Sequence, residues 1–186
     1  MANITTANAT AACSQMASVV YEYCNLIDQC NDISSGQCRG QYWLRHMEKL
    51  LPRIHSTVVS LKAPTPERFI YNLPDDDLRC ELFMRLNEVL LKDNILWSGL
   101  DRAQIKHNLC ESLADDFTDI YFDLKQGLEL YHEYPLRPAY AIHNWQASYY
   151  SHWGQHLVDA ETWLHAVEAR NFSSITATLE TIKTTA

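Results

Sequence analysis

Apolar residues along this chain recur at intervals of three and four, and no stretch alternates apolar and polar residues as a half-buried strand must. Met16, Val19, Val20, Tyr23 and Ile27 make one such stripe. Trp43, Met47, Leu50, Leu51, Ile54, Val58 and Leu61 make a second, and Leu78, Leu82, Phe83, Leu86, Val89 and Leu90 a third. The pattern predicts an all-α protein, an antiparallel helical bundle of five or six helices. Composition agrees, because 5 glycines and 6 prolines in 186 residues are too few for a many-turned barrel or a glycine-rich phosphate loop. A hydrophobic share of 47% supports a core and argues against a disordered chain. No repeat of about 20–50 residues is present, which excludes a solenoid.

Local signals set the expected boundaries. Residues 1–12, rich in Ala, Thr and Asn and without charge, read as a flexible leader before one helical-bundle domain over 13–186. Asn31 to Gly36 reads as a loop, and Lys62-Ala63-Pro64-Thr65-Pro66 as a linker. Pro52 lies inside the second helix and should kink or split it, because it removes a backbone donor and crowds the preceding turn. Asn72-Leu73-Pro74-Asp75-Asp76-Asp77 is a helix start, with its acids facing the positive end of the dipole. Ser98-Gly99 breaks that helix, and a fourth runs from about Leu109 or Ser112 to Tyr131. Pro138 suits the first turn of a long fifth helix reaching about Arg170, and Asn171 reads as a stop before a short helix over Ser174 to Lys183.

The charge balance narrows the partners. Fifteen basic against 23 acidic residues give a net charge of −8, which repels phosphate backbones and argues against a nucleic-acid partner. No window approaches the ~20 uninterrupted apolar residues of a membrane span. The first basic residue is Arg39, so nothing resembles the charged start of a secretory signal, and the three Asn-x-Ser/Thr triplets are read as chance. Cys13, Cys24, Cys30, Cys38, Cys80 and Cys110 show no C-x-x-C spacing, which removes the usual zinc-ribbon and thioredoxin readings. A cytoplasmic protein is expected. No feature locates a surface for a protein partner or for a second copy of the chain.

Chemistry is concentrated in two helices. On a count of about 100° per residue, Leu113, Phe117, Ile120, Tyr121, Leu124, Leu128 and Tyr131 form the apolar stripe of the fourth helix. Asp116, Asp119 and Asp123 fall along one border of it, beside Gly127, while Thr118, Lys125 and Glu129 point away. Like charges at these spacings repel, so something must neutralise them. The same count on the fifth helix groups Trp145, Ser148, Tyr149, His152, His156, Asp159 and Trp163 on one face. His152 and His156, four apart, can converge on one ion, as in H-E-x-x-H, although the metalloprotease glutamate is absent.

Facing one another, Asp116, Asp119, Asp123, His152, His156 and Asp159 would make a mixed nitrogen and oxygen site for Zn, Mn, Fe or Ni. Tyr121, Trp145, Tyr149 and Trp163 would wall the pocket. Asp116 to Asp123 spans about 10 Å of helix, too long for one ion, so one pair of aspartates ligates or two ions bind. Against this stands a plainer reading, a satisfied polar network that fixes helix register without chemistry. In it, Ser112-Leu113-Ala114-Asp115 imitates a capping box, with Asp115 and Asp116 as first-turn acids. A structural or binding role therefore leads, and metal-dependent hydrolysis is the alternative. The other six histidines, His55 among them, are read as surface or helix-end residues.

The segment from Leu113 to Leu128 contains D-D-x-x-D-I-Y-x-D-L-K-x-G-L, and residues 152 to 156 read H-W-G-Q-H. Together these resemble an uncharacterised bacterial family, the domain of unknown function five-zero-six-three. The resemblance covers Leu113 to His165 and implies an intracellular helical bundle, with no activity attached. A weaker similarity links Asp116-x-x-Asp119 to the second acidic pair of the all-α nucleotide pyrophosphatases. No E-x-x-E partner precedes it, since Glu81 and Glu88 are seven apart.

Overall fold

The computed structural model describes residues 2–30, 39–62, 70, 75–92 and 103–184, and every regular element among them is helical. The helices are α1 (Ala2–Asp28), α2 (Arg39–Ser60), α3 (Asp76–Lys92), α4 (Ala103–Glu133), α5 (Pro138–Ser148) and α6 (Gly154–Thr184). A π-helical turn, Tyr149–Trp153, joins α5 to α6. The helices α1, α2, α6 and α4 pack in a closed ring, each against the next. On the flanks, α3 lies against α4, and α5 packs on both α4 and α1. The core is made of the predicted stripes: Met16, Val20, Tyr23 and Ile27 from α1 meet Met47, Leu50, Leu51 and Ile54 from α2 and Leu113, Phe117, Ile120 and Leu124 from α4. The all-α expectation holds.

Several boundaries differ. The segment expected as a leader is helical from Ala2 and continuous with α1, and Ala9 is buried. Its alanines are strong helix formers, and the stripe begins earlier than the first large residue. Pro52 does not split α2, which runs unbroken around it, because the proline ring sits on the solvent side. Helix α4 begins at Ala103, so Ser112 is not its cap, and Asp115 and Asp116 lie mid-helix, beyond the reach of any first-turn explanation. Thr118 does not point to solvent. It is buried and bonds back to the Ala114 carbonyl at 2.6 Å, because α3 covers that flank of α4. Asn171 does not stop α6, since neither glycine nor proline follows to end it. The expected loop at 31–36, the linker prolines and the break at Ser98-Gly99 lie outside the described residues.

The start of α3 matters because it aims Arg79. Asp75 caps it, with Oδ1 accepting the N–H groups of Asp77 at 2.9 Å and Leu78 at 3.3 Å. Asp75→Ala should lower the unfolding free energy by about 1 kcal/mol, readable as a lower urea midpoint at unchanged slope.

Candidate metal centre

Because α4 is uninterrupted, the three- and four-residue spacing carries Asp116, Asp119 and Asp123 along one edge, and all three are buried. Burial disfavours their charge. The Asp116 and Asp123 carboxyls are pushed above the ordinary aspartate range by loss of water, and in each case a histidine pulls back in the opposite direction.

Those histidines arrive through the π turn. The Gly154 N–H reaches back to the Tyr149 carbonyl, five residues earlier, so the turn absorbs one extra residue. Downstream the helix surface is therefore rotated by about 100° from an unbroken count. The buried stripe passes from Trp145 and Ser148 to Trp153, Leu157, Ala160 and Leu164. His152 and His156 are carried off the centre of that stripe to its edge, where their side chains are 49% and 23% exposed. The edge they reach is the one that α4 lines with aspartates.

The resulting contacts divide the two nitrogens of each ring. His152 Nδ1 donates to Asp123 Oδ2 at 2.6 Å, and His156 Nδ1 donates to Asp116 Oδ1 at 2.9 Å. Both Nε2 atoms face the same third oxygen, Asp119 Oδ2, at 3.9 Å from His152 and 3.2 Å from His156. The rings stand edge to face with centroids 5.1 Å apart. One nitrogen from each histidine and one Asp119 oxygen lie within 4.8 Å of one another, a group that could hold a metal ion. The remaining oxygen, Asp119 Oδ1, accepts from Arg79 Nε at 2.6 Å, and the same guanidinium reaches Asp115 at 3.0 Å. Asp116 Oδ2 is buried with no hydrogen-bond partner among the described residues. The bond to Asp116 and the charge of Asp119 hold the His156 imidazole above its ordinary pKa, against the effect of burial.

Five of the six candidate ligands thus come together, and Asp159 stands at the margin, accepting from Gln155 at 3.0 Å while its charge bears on Asp116. The four aromatic residues expected to wall the pocket are placed elsewhere. Tyr121 donates to Asp28 at 2.8 Å, Trp145 is buried against α4, Tyr149 pairs with His55 at 2.9 Å, and Trp163 is 41% exposed. For Trp145, Tyr149 and Trp163 the cause is the π turn, which breaks the single face that an unbroken helix would have given residues 145 to 163. Tyr121, on α4, is instead held toward α1 by its bond to Asp28. Arg79 escaped the sequence reading. Its only trace there was the demand that the aspartate row be neutralised.

A helical bundle with paired carboxylate–imidazole bonds converging from two helices is the class that this fold and site define. Within it, the chain belongs to the family described as Domain of unknown function (DUF5063), whose profile matches residues 8–170, the family that the two motifs had suggested. Among solved structures it is similar to protein BF1032 from Bacteroides fragilis, a structural-genomics target, with a TM-score of 0.61 at 20% identity. The alignment covers 82% of this chain and 89% of that one, a likeness of fold. No curated protein matches.

Proposed function

We propose that Asp119, His152 and His156 bind one divalent transition metal. The observation that carries this reading is the division of labour in the two rings. Each spends Nδ1 on its own buried carboxylate and presents Nε2 to a shared Asp119 oxygen. Metal-binding histidines are oriented by such outer carboxylates, which fix the tautomer and raise the basicity of the ligating nitrogen. Asp123 and Asp116 take that outer role, and this resolves the length of the aspartate row, since only its middle member ligates. Two imidazoles and one carboxylate suit Zn, Mn, Fe or Ni. The half-exposed side of His152 leaves room for water or substrate, and a water activated by the metal would make metal-assisted hydrolysis the associated chemistry.

The plainer reading, a register-fixing network without metal, is favoured by charge balance: Arg79 and a protonated His156 already offset much of the aspartate row. The two readings separate on titration of chelator-treated protein with zinc, manganese and nickel at about pH 7.5, where neutral imidazole is available. The metal centre predicts one ion per chain and a raised melting temperature. His152→Ala, which also strips the imidazole from the buried Asp123 carboxylate, should abolish saturable binding, and Asp123→Asn should weaken it about 10–100-fold. A melting temperature indifferent to all three metals would leave the network standing alone. For location, we infer the cytoplasm: among the described residues the five cysteines are free thiols, and four of them are buried. Among the described residues no helix is long and apolar enough to cross a membrane.

A further inference from the structure

A second cluster of titratable groups, outside the metal centre, lies where α2 meets α6. His55 of α2 projects between Glu161 of α6 and Tyr149 of the π turn. Its Nδ1 lies 3.3 Å from Glu161 Oε2, and its Nε2 lies 2.9 Å from the Tyr149 hydroxyl. A carboxylate only accepts hydrogen bonds, so a neutral His55 carries its proton on Nδ1 and leaves Nε2 as the acceptor for the tyrosine O–H. This is the order of parts that activates a weak nucleophile: an acid that orients a base, and a base that holds the proton of the attacking oxygen.

The phenol is also held in place. Its ring stands edge-on to Trp153, with centroids 5.0 Å apart, and a Cβ on Gly154 would come within 3.0 Å of two of its carbons. The glycine lets the ring lie flat along the turn. The far oxygen of Glu161, Oε1, is buried and has no hydrogen-bond partner among the described residues, so the carboxylate keeps acceptor capacity for the imidazolium that would form.

We propose that Tyr149 is a reactive nucleophile, with His55 as its base and Glu161 as the positioning residue, and that it accepts an acyl group from an activated ester. The phenol oxygen attacks the ester carbonyl carbon while its proton passes to His55 Nε2. The tetrahedral adduct then expels the alcohol or phenol, which leaves with the electron pair of the broken bond and is protonated by His55 or solvent. The products are O-acyl-Tyr149 and the free leaving group. A neutral acyl donor is favoured over a phosphoryl donor because the Glu161 carboxylate, 3.3 Å from His55, adds negative charge that would repel a polyphosphate. Burial first, and then the nearby Tyr150 and Glu161, raise the pKa of the phenol, so Tyr149 stays protonated at neutral pH and depends on its base. The proposal is independent of whether Asp119 holds a metal.

The test is acetylation of the intact, full-length protein by p-nitrophenyl acetate at neutral pH, with every tyrosine followed by peptide mapping. Tyr150, adjacent in sequence and 75% exposed, is the internal reference. Tyr149 should be acetylated about 100-fold faster than Tyr150, at the lower end of what a positioned base contributes. His55→Gln should bring the rate at Tyr149 down to that at Tyr150, and Glu161→Gln should lower it by about tenfold, with Tyr150 unchanged in both. Equal rates at Tyr149 and Tyr150 in the wild-type protein would overturn the proposal without recourse to any variant.

Discussion

His156→Ala should cost about 3 kcal/mol of unfolding free energy in chelator-treated protein, the figure for stripping one partner from a buried ion pair. Asp116, only 6% exposed, would keep its charge and lose the ring that answers it. The cost should depend on pH, and the direction follows from the two shifts. Pairing with Asp116 raises the folded pKa of His156 above its ordinary value. Its contribution is therefore complete below about pH 6.5 and fades as pH rises through the folded value. Asp116 bounds the effect on the acid side, because its carboxyl is already raised by burial and would rise further without His156. On acidification it takes up a proton and relieves the variant. The penalty should accordingly peak between the two titrations and shrink on either side. Urea melts of wild type and variant across that range would show it, and a penalty flat with pH would mean that packing, not the ion pair, is what His156 supplies. Because a metal binds the neutral ring, the melting shift that zinc produces in wild-type protein should grow as pH rises over the same range.

What could be read from the sequence depended on whether a helix was interrupted. The edge made by Asp116, Asp119 and Asp123 was legible because α4 runs without a break from Ala103 to Glu133, so spacing translates directly into direction. His152 and His156 were legible as a pair, being four apart, and as partners for the aspartate row, which they meet. What an unbroken count missed is their separation from Trp145 and Ser148, which it put on the same face. The π turn between Ser148 and Gly154 absorbs a residue and parts the two groups. The turn leaves one local trace, Gly154, where a Cβ would run into the Tyr149 carbonyl. A glycine within a helix has several causes, and periodicity cannot choose among them. Arg79 and His55 were illegible for a different reason. Their partners lie 36 to 106 residues away, and such contacts follow from which helices are neighbours in the bundle. No local pattern encodes that choice.

Gly127 and Trp145 should prove to be one feature measured at two positions. The Trp145 indole is fully buried and donates from Nε1 to the Leu124 carbonyl at 3.0 Å, while its own carbonyl accepts from Trp153 Nε1 at 3.2 Å. Trp145→Ala should therefore cost about 4 kcal/mol through the cavity it opens. A Cβ added to Gly127 would overlap the indole ring, which is itself fully buried. Gly127→Ala should cost about 2 kcal/mol, against the gain of about 1 kcal/mol that alanine brings to an open helix site. Once Trp145 is alanine the obstacle is gone, and Gly127→Ala should turn neutral or stabilising. The double-mutant cycle, read by urea unfolding, should then show a coupling of about 2–3 kcal/mol, whereas distant, independent sites would add to within about 0.5 kcal/mol. Strict additivity would mean that the glycine is not there for the tryptophan. The contact bears on the metal centre as well, since Trp145 lies one turn before the π turn and anchors α5 to the helix that carries the aspartates. Pushing that anchor away from α4 should carry His152 away from Asp123. Gly127→Ala is thus expected to weaken metal binding although it touches no ligand, and the affinity should return in part when Trp145 is shortened to leucine.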